Sequence, residues 1–356
     1  MDLAPNLLTF GSANPILVTG HTGFKGTWLT LLLRTLGIPA IGLALEPAPE
    51  SLYTRISSLG LEAEYFEDIR DFSAVSRIIK AHSPSVIFHL AAQPLVIESY
   101  RTPRETFETN VMGTANLLEA FRKSKNAYLF AGITTDKVYK NSNSARRFQE
   151  DDPLAGKDPY SASKVGTESV LAAWRQISNV DQGPQVLSLR AGNVIGGGDF
   201  ANNRIIPDIV RGLQSGEAIR IRNPKSTRPW QHVLDPIRGY LMACEFNLTQ
   251  GGINEFNFGP EGDSLSVSQL VNEAMSVWET KTPEFIYEEG GLNLEATTLQ
   301  LDSSLSKEIL DWKPVWSQEQ AIRDTFTWWS NVLHKDFSAE EACLHDISTA
   351  SQRARI

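Results

Sequence analysis

The stretch "AGITTDKVYKN" (131–141) ends an apolar run with two hydroxyls, a carboxyl and an amine side by side: Thr134, Thr135, Asp136 and Lys137. Shortly downstream, "DPYSASK" supplies Tyr160 and Lys164. They stand four residues apart at the start of a predicted helix, and so on one face of it. An unperturbed tyrosine titrates near ~10 and is a poor base at neutral pH. A neighbouring ammonium favours the phenolate and lowers that value. A tyrosine tuned in this way can take a proton from a substrate hydroxyl while hydride leaves the same carbon. That chemistry needs a hydride acceptor close by.

The acceptor's binding loop stands near the start of the chain. "VTGHTGFKG" follows a buried apolar run and opens a helical one, with Gly20, Gly23 and Gly26 at GxxGxxG spacing. The first glycine permits the tight turn. The second lets the backbone approach a pyrophosphate, whose charge the helix N-terminus favours, and the third lets helix and strand pack closely. The next strand ends in "LALEP", which puts Glu46 about twenty residues past the third glycine, where an acid bonds the adenosine ribose hydroxyls. No arginine follows it closely, and a carboxylate there repels a 2′-phosphate, so the expected cofactor is NAD rather than NADP. Its positive nicotinamide ring would add to the ammonium in favouring a tyrosine phenolate. Asp68, in "EDIRD" after a third strand, is placed to accept from the adenine amino group.

These groups need a scaffold that delivers strand ends and helix starts to one place. Short apolar runs alternate with helical patterns through the first half: "PILVTG", "AIGLAL", "AEYFEDI", "SVIFHLAA", "AYLFAGITT" and "QVLSLRAGNV" as strands. Between them, "GTWLTLLLRTLG", "FSAVSRIIKAH", "ETFETNVMGTANLLEAFRKS" and "SASKVGTESVLAAWRQIS" read as helices, the third of them long. Continuous apolar strands alternating with helices predict a parallel sheet covered on both faces, a Rossmann-type doubly wound α/β fold. Beyond about Val194 the pattern loosens into a smaller α/β C-terminal part, in which "LDPIRGYLMACEF" looks like a helix returning to the first domain. After Lys335 the tail is weakly patterned and reads as disordered or packed on a neighbour.

Composition narrows the classes further. The chain has 356 residues and a formal net charge of −9, which disfavours nucleic acid and anionic membranes as partners. No segment is long and apolar enough to span a bilayer, and the first residues lack a signal-peptide pattern, so the expected location is cytoplasmic. Cys244 and Cys343 form no CxxC pair, and Cys244 reads as a small core residue. The six histidines show no metal-ligand spacing, and no metal is expected.

"GHTGFKG", "HLAAQPLV", "ETNVMGT", "YSASK" and "RAGNVIGGGDF" together resemble the extended short-chain dehydrogenase/reductases that act on nucleotide sugars. "TTDK" and "RPWQHVLDP" resemble more narrowly the 4,6-dehydratase branch that takes CDP-glucose. The resemblance runs from about Pro15 to Trp316. It implies that Thr135 hydrogen-bonds the sugar O4 beside Tyr160, that Tyr160 and Lys164 serve oxidation at C4, and that Asp136 and Lys137 serve loss of water across C5 and C6. Lys137 is either the C5 base or an electrostatic stabiliser. The resemblance adds Thr22, Phe24, Ile69, Leu90, Ala91 and Ala92 to the cofactor side, where Tyr160 and Lys164 also belong. It places Gln93, Asn193, Arg204 and Arg228 on the substrate side, the two arginines as bidentate donors to a diphosphate. It further implies a homodimer or dimer of dimers, built on the Asn110 and Tyr160 helices.

The implied layout is an NAD domain over 1–193, with 228–262 returning to it, a nucleotide-sugar domain over 194–227 and 263–335, and a tail over 336–356. The sequence departs from the branch in its insert "NSNSARRFQEDDPLAGKDP" and at Leu294, where a histidine is usual. A dehydratase for another nucleotide sugar, a 4-epimerase and a non-catalytic dinucleotide sensor are the competing readings. Intact Thr135, Tyr160 and Lys164 argue against the last.

Overall fold

The computed structural model describes residues 5–141, 146–280, 282–288 and 299–354. Seven parallel strands form the central sheet in the spatial order 255–258, 185–191, 129–135, 86–89, 16–19, 40–44, 63–66. Six of them are the predicted apolar runs. The seventh, Glu255–Phe258, arrives after the helix Leu234–Thr249 and pairs with Gln185–Ala191. Side chains alternate across a strand, and the sheet uses both sets. Ile16, Val18, Val86, Phe88, Leu129, Ala131, Leu187 and Leu189 pack into one core, while Leu17, Ile41, Leu43, Ile87, Phe130 and Val186 pack into the other. Burial on both faces is why these strands read as unbroken apolar runs.

Strand order reverses between Ile16–Thr19 and Val86–His89, the point at which open α/β sheets bind ligands beyond their strand ends. Gly20 and Leu90 follow those two strands directly.

Three elements differ from the sequence expectation. The long helix through Asn110 is broken: Pro103–Phe107 is α-helical, Glu108–Met112 is a π segment, and Gly113–Phe121 resumes the α-helix. The cause is visible at Asn110, whose buried side chain accepts from the Gln93 N–H at 2.8 Å and donates to the Gln93 carbonyl at 3.1 Å and Ser163 Oγ at 2.8 Å. A π turn at such a junction re-aims one side chain. At the start of the chain, Pro5–Ala13 forms a helix held by Glu245, which accepts from the Asn6 and Leu7 N–H groups. The third helix, Phe72–His82, is capped by Asp71, which accepts from the Ser73 and Ala74 N–H groups. The tail, expected to be disordered or packed on a neighbour, is the helix Ala339–Arg353 on its own chain, opened by a Ser338–Glu341 capping box. Cys343, Ile347 and Ala350 are buried there, and Glu340 pairs with Arg34 at 2.7 Å. Cys244 is buried in the core as expected. Among the described residues, no helix is long and apolar enough to cross a membrane.

Candidate active site

Gly20 ends the first strand with φ +75°, a left-handed conformation that favours glycine. A Cβ at Gly20 would stand 2.7 Å from the Ala91 nitrogen. One at Gly26 would collide with the Gly20 carbonyl oxygen, so the helix could not lie this close to the turn. Gly23 is the N-cap of Phe24–Thr35 and supplies no side-chain cap, leaving the first N–H groups of that helix for an anion. These observations fit a dinucleotide diphosphate. Thr22 donates to the Leu45 carbonyl at 3.1 Å and ties the loop to the end of the second strand. Glu46, the next residue, is exposed.

Asp68 follows the third strand, Ala63–Phe66. Its carboxylate is held by Arg70 at 2.6 Å, which keeps it below the usual carboxylate range. Ile69 is buried beneath it. Leu90, Ala91 and Ala92 follow the fourth strand, with the Ala91 N–H donating to Thr19 Oγ1 at 3.3 Å. His89, beneath them, bridges Thr19 and Thr114 at 2.8 Å each, and burial drives it down to about 3, so it is a neutral strut.

The strand Leu129–Thr135 delivers Thr135 and Asp136 to its C-terminal end, both buried. Thr135 donates to Asp136 Oδ1 at 2.9 Å and accepts from the Lys137 N–H at 3.3 Å. Gly192 backs the carboxylate, since a Cβ there would lie 2.9 Å from Asp136 Oδ2. Lys137 is half-buried in the one-turn 3₁₀ segment Asp136–Val138. The helix Pro159–Asp181 starts with proline in its first turn and an Asp158–Ser161 capping box. That start fixes where Tyr160 and Lys164 point, and both are buried.

Tyr160 departs from the expected lowered pKa. Burial pushes it up to about 12, with Asp136 and Asp158 adding to the rise, while the Thr135 hydrogen bond and the Arg204 charge oppose it. The reason is geometric: the Lys164 ammonium donates to the Ile133 carbonyl at 2.9 Å. Burial brings Lys164 itself down to about 8, against the pull of Glu168.

On the substrate side, Gln93 is engaged in its own loop, donating to Thr106 at 2.9 Å and accepting from the Leu95 N–H at 2.6 Å. Asn193 lies in the turn after the sixth strand, its carbonyl accepting from the Gln231 N–H at 3.2 Å. Arg204, N-cap of Ile205–Ser215, pairs with Asp199 at 3.0 Å, and its charge reaches Tyr160. Arg228 sits on a short ribbon opposite Leu265 and donates to the Thr227 carbonyl at 2.8 Å. Leu294 lies outside the described residues.

Two features escaped the sequence reading. Lys25, inside the glycine motif, is one; its charge interacts with Arg204, Lys164 and Asp136. The other is the buried Glu168–Arg190 ion pair at 2.9 Å, directly behind the site.

The family of GDP-mannose 4,6 dehydratase matches residues 17–325. The chain belongs to that family. Within these dehydratases it is 39% identical to CDP-glucose 4,6-dehydratase of Salmonella typhimurium, over 90% of this chain and 91% of that one. Its fold matches that of a Thermotoga maritima UDP-glucose 4-epimerase solved with UDP-glucose, at 24% identity and TM-score 0.75, covering 90% of this chain and 99% of the other. It also matches a Bacillus anthracis dTDP-glucose 4,6-dehydratase in complex with NAD, at 22% identity and TM-score 0.74, covering 90% and 97%.

Proposed function

We propose that this dehydratase converts CDP-glucose to CDP-4-dehydro-6-deoxyglucose with NAD and no net redox change. The observation that carries the reading is the gathering of Thr135, Asp136 and Tyr160 at one strand end, with Lys164 buried beside them. The glycine turn, the uncapped helix start and Glu46 hold the dinucleotide, with Thr22, Phe24 and Ala91 lining its course. Bound NAD would supply the hydride acceptor for C4 and the hydride donor for C6, and its ring charge would offset the desolvation of Tyr160.

The protein's own groups do the rest. Tyr160 removes the O4 proton, and Thr135 holds the same oxygen. Lys164 positions the ribose and keeps positive charge near the phenol. Once C4 is a ketone, the C5 proton is acidified and a base of modest strength suffices. Lys137 serves that step, as base or as enolate stabiliser. Asp136, desolvated against Gly192, gives its proton to the departing C6 hydroxyl. Arg204 and Arg228 hold the substrate diphosphate, with Asn193 and Gln93 shaping the sugar pocket.

The active form is a homodimer. Ile97, Tyr100, Phe107 and Met112 are exposed apolar residues on the helices around the π segment, a patch suited to a second copy.

Purified protein assayed with CDP-, dTDP-, UDP- and GDP-glucose tests the reading by product mass. The expected product is lighter by one water, with the highest kcat/KM on CDP-glucose. A product of unchanged mass would make the enzyme an epimerase, and preference for another nucleotide would overturn the base assignment.

A further inference from the structure

Lys25 is the second residue of the helix whose N-terminus forms the diphosphate cradle. A cation in a first helical turn opposes the helix dipole. A part-buried amine also pays for desolvation, and burial brings this one down to about 8, with Arg204 and Lys164 pushing the same way and Asp136 opposing. The placement is therefore unfavourable by itself.

Its geometry shows where the charge is delivered. The Lys25 ammonium stands 3.5 Å from the Tyr240 hydroxyl and 5.9 Å from the centre of that ring. Tyr240 is fully buried and interacts electrostatically with Tyr160. The ammonium thus stands beside the cradle, in the first turn of its helix, and within electrostatic reach of Lys164. A dinucleotide with its diphosphate at Gly23 and its reactive ring at Tyr160 passes beside it.

We propose that Lys25 is a positioning residue that biases the bound dinucleotide toward its reduced form, a role that rests on the NAD reading above. The oxidised cofactor carries one more positive charge than the reduced one, so a fixed ammonium near the ring repels the first and favours the second. Oxidising a secondary alcohol with NAD is unfavourable in water, and this reaction must hold the reduced cofactor until water has left C5 and C6. A cation beside the ring lowers the energy of that waiting state. Lys164 contributes to the same field.

The test is equilibrium binding of NAD and NADH to wild type, Lys25→Met and Lys25→Arg, with NADH followed by fluorescence and NAD by competition. In wild type the ratio Kd(NAD)/Kd(NADH) is expected to exceed that of Lys25→Met by about tenfold, the size one charge produces at ~10 Å and an effective dielectric constant of ~20. Lys25→Arg keeps the charge and should keep most of the ratio. Equal weakening of both ligands in Lys25→Met would make Lys25 a simple diphosphate ligand and overturn the proposal. So would a Lys25→Arg ratio as low as that of Lys25→Met. Failure of wild type to bind either dinucleotide would instead overturn the cofactor reading itself.

Discussion

Thr134 and Thr135 are neighbours on one strand, alike in type, and they belong to two opposite kinds of polar cluster. Thr134 donates to Glu168 at 2.5 Å. Glu168 is held by Arg190 through two bonds of 2.9 Å, and Arg190 also donates to the Tyr139 hydroxyl and the Glu150 carbonyl at 2.8 Å each. Tyr139 passes the chain on to Asn257 at 2.8 Å. There the ion pair reinforces its own charges: Glu168 is held below its ordinary value and Arg190 above its own. One residue further on, Thr135 leads to Asp136 and Tyr160, and burial moves Tyr160 and Lys164 away from their charged forms. The same helix supplies both clusters, Tyr160 and Lys164 from its first two turns and Glu168 from the third. A network that satisfies its charges holds the fold, and one that leaves them strained is where protons can move.

Breaking the strained cluster should leave the fold and remove the chemistry. Tyr160→Phe keeps the ring and loses the proton acceptor, so kcat should fall about 10²–10⁴-fold. Its melting temperature and NAD affinity should stay near wild type. Stopped-flow absorbance of the reduced cofactor is the measurement, and transient NADH at the wild-type rate would remove Tyr160 from the first step. Lys137→Ala should stall one step later, forming NADH while exchange of the C5 proton with deuterated solvent is lost. Normal exchange would make Lys137 structural.

Breaking the satisfied cluster should do the reverse. Glu168→Gln leaves Arg190 buried with no carboxylate partner, a loss of about 3–5 kcal/mol in unfolding free energy. Denaturant titration measures it. The protein that remains folded should lose far less kcat than Tyr160→Phe, since Glu168 touches neither Tyr160 nor Asp136 in the hydrogen bonds described and acts on Lys164 only through its charge. A large kcat loss at unchanged stability would merge the two clusters into one.

Lys164 sharpens the contrast through pH. Its folded value, about 8, lies below the ordinary 10.5, so the unfolded chain binds more protons between those limits. Stability therefore rises with pH through that window, by about 2.5 kcal/mol between pH 7 and 10, because the buried ammonium is discharged. Lys25, also brought down to about 8, adds a similar rise, so Lys164→Met should lose about half of the total when unfolding is measured from pH 7 to 10. An equal rise in the variant would assign the slope to other groups.

Much of this arrangement was legible locally. Apolar runs gave six strands, and glycine spacing gave the turn that Gly20 makes. The four-residue step gave the common face of Tyr160 and Lys164. What was not legible depends on distant partners. The π segment forms because Asn110 meets Gln93 and Ser163, 17 and 53 residues away. Arg190 meets Glu168 only because the sixth strand returns beside the fifth. The tail helix forms against Arg34, 306 residues from Glu340. Lys25 reads in the sequence only as a spacer of the glycine motif, and its environment depends on Tyr240, 215 residues away. The Tyr160 expectation failed for a related reason: spacing placed Lys164 on the right face but could not show that its ammonium bonds the Ile133 carbonyl.

The smallest test is also the most direct, because it changes one hydroxyl at a time on adjacent residues. Valine matches threonine in shape and removes only the hydroxyl's bonds. At Thr134 the lost donor served a buried carboxylate, and bonds to charged groups contribute about 1.5–3 kcal/mol. Glu168 keeps its two bonds to Arg190, so the lower end applies, about 1.5 kcal/mol of stability with kcat unchanged. At Thr135 the hydroxyl faces Asp136 and Tyr160, and the Lys137 N–H also rests on it. Removing it takes away the bond that favours the phenolate and the contact that holds O4. The expected loss is about tenfold in kcat, near 1.4 kcal/mol in the barrier, beside a stability cost like that at Thr134, since Thr135 also gives up a buried bond to a carboxyl. The two variants thus differ in rate rather than in unfolding. If Thr134→Val loses rate and Thr135→Val does not, the assignment of the two clusters is reversed.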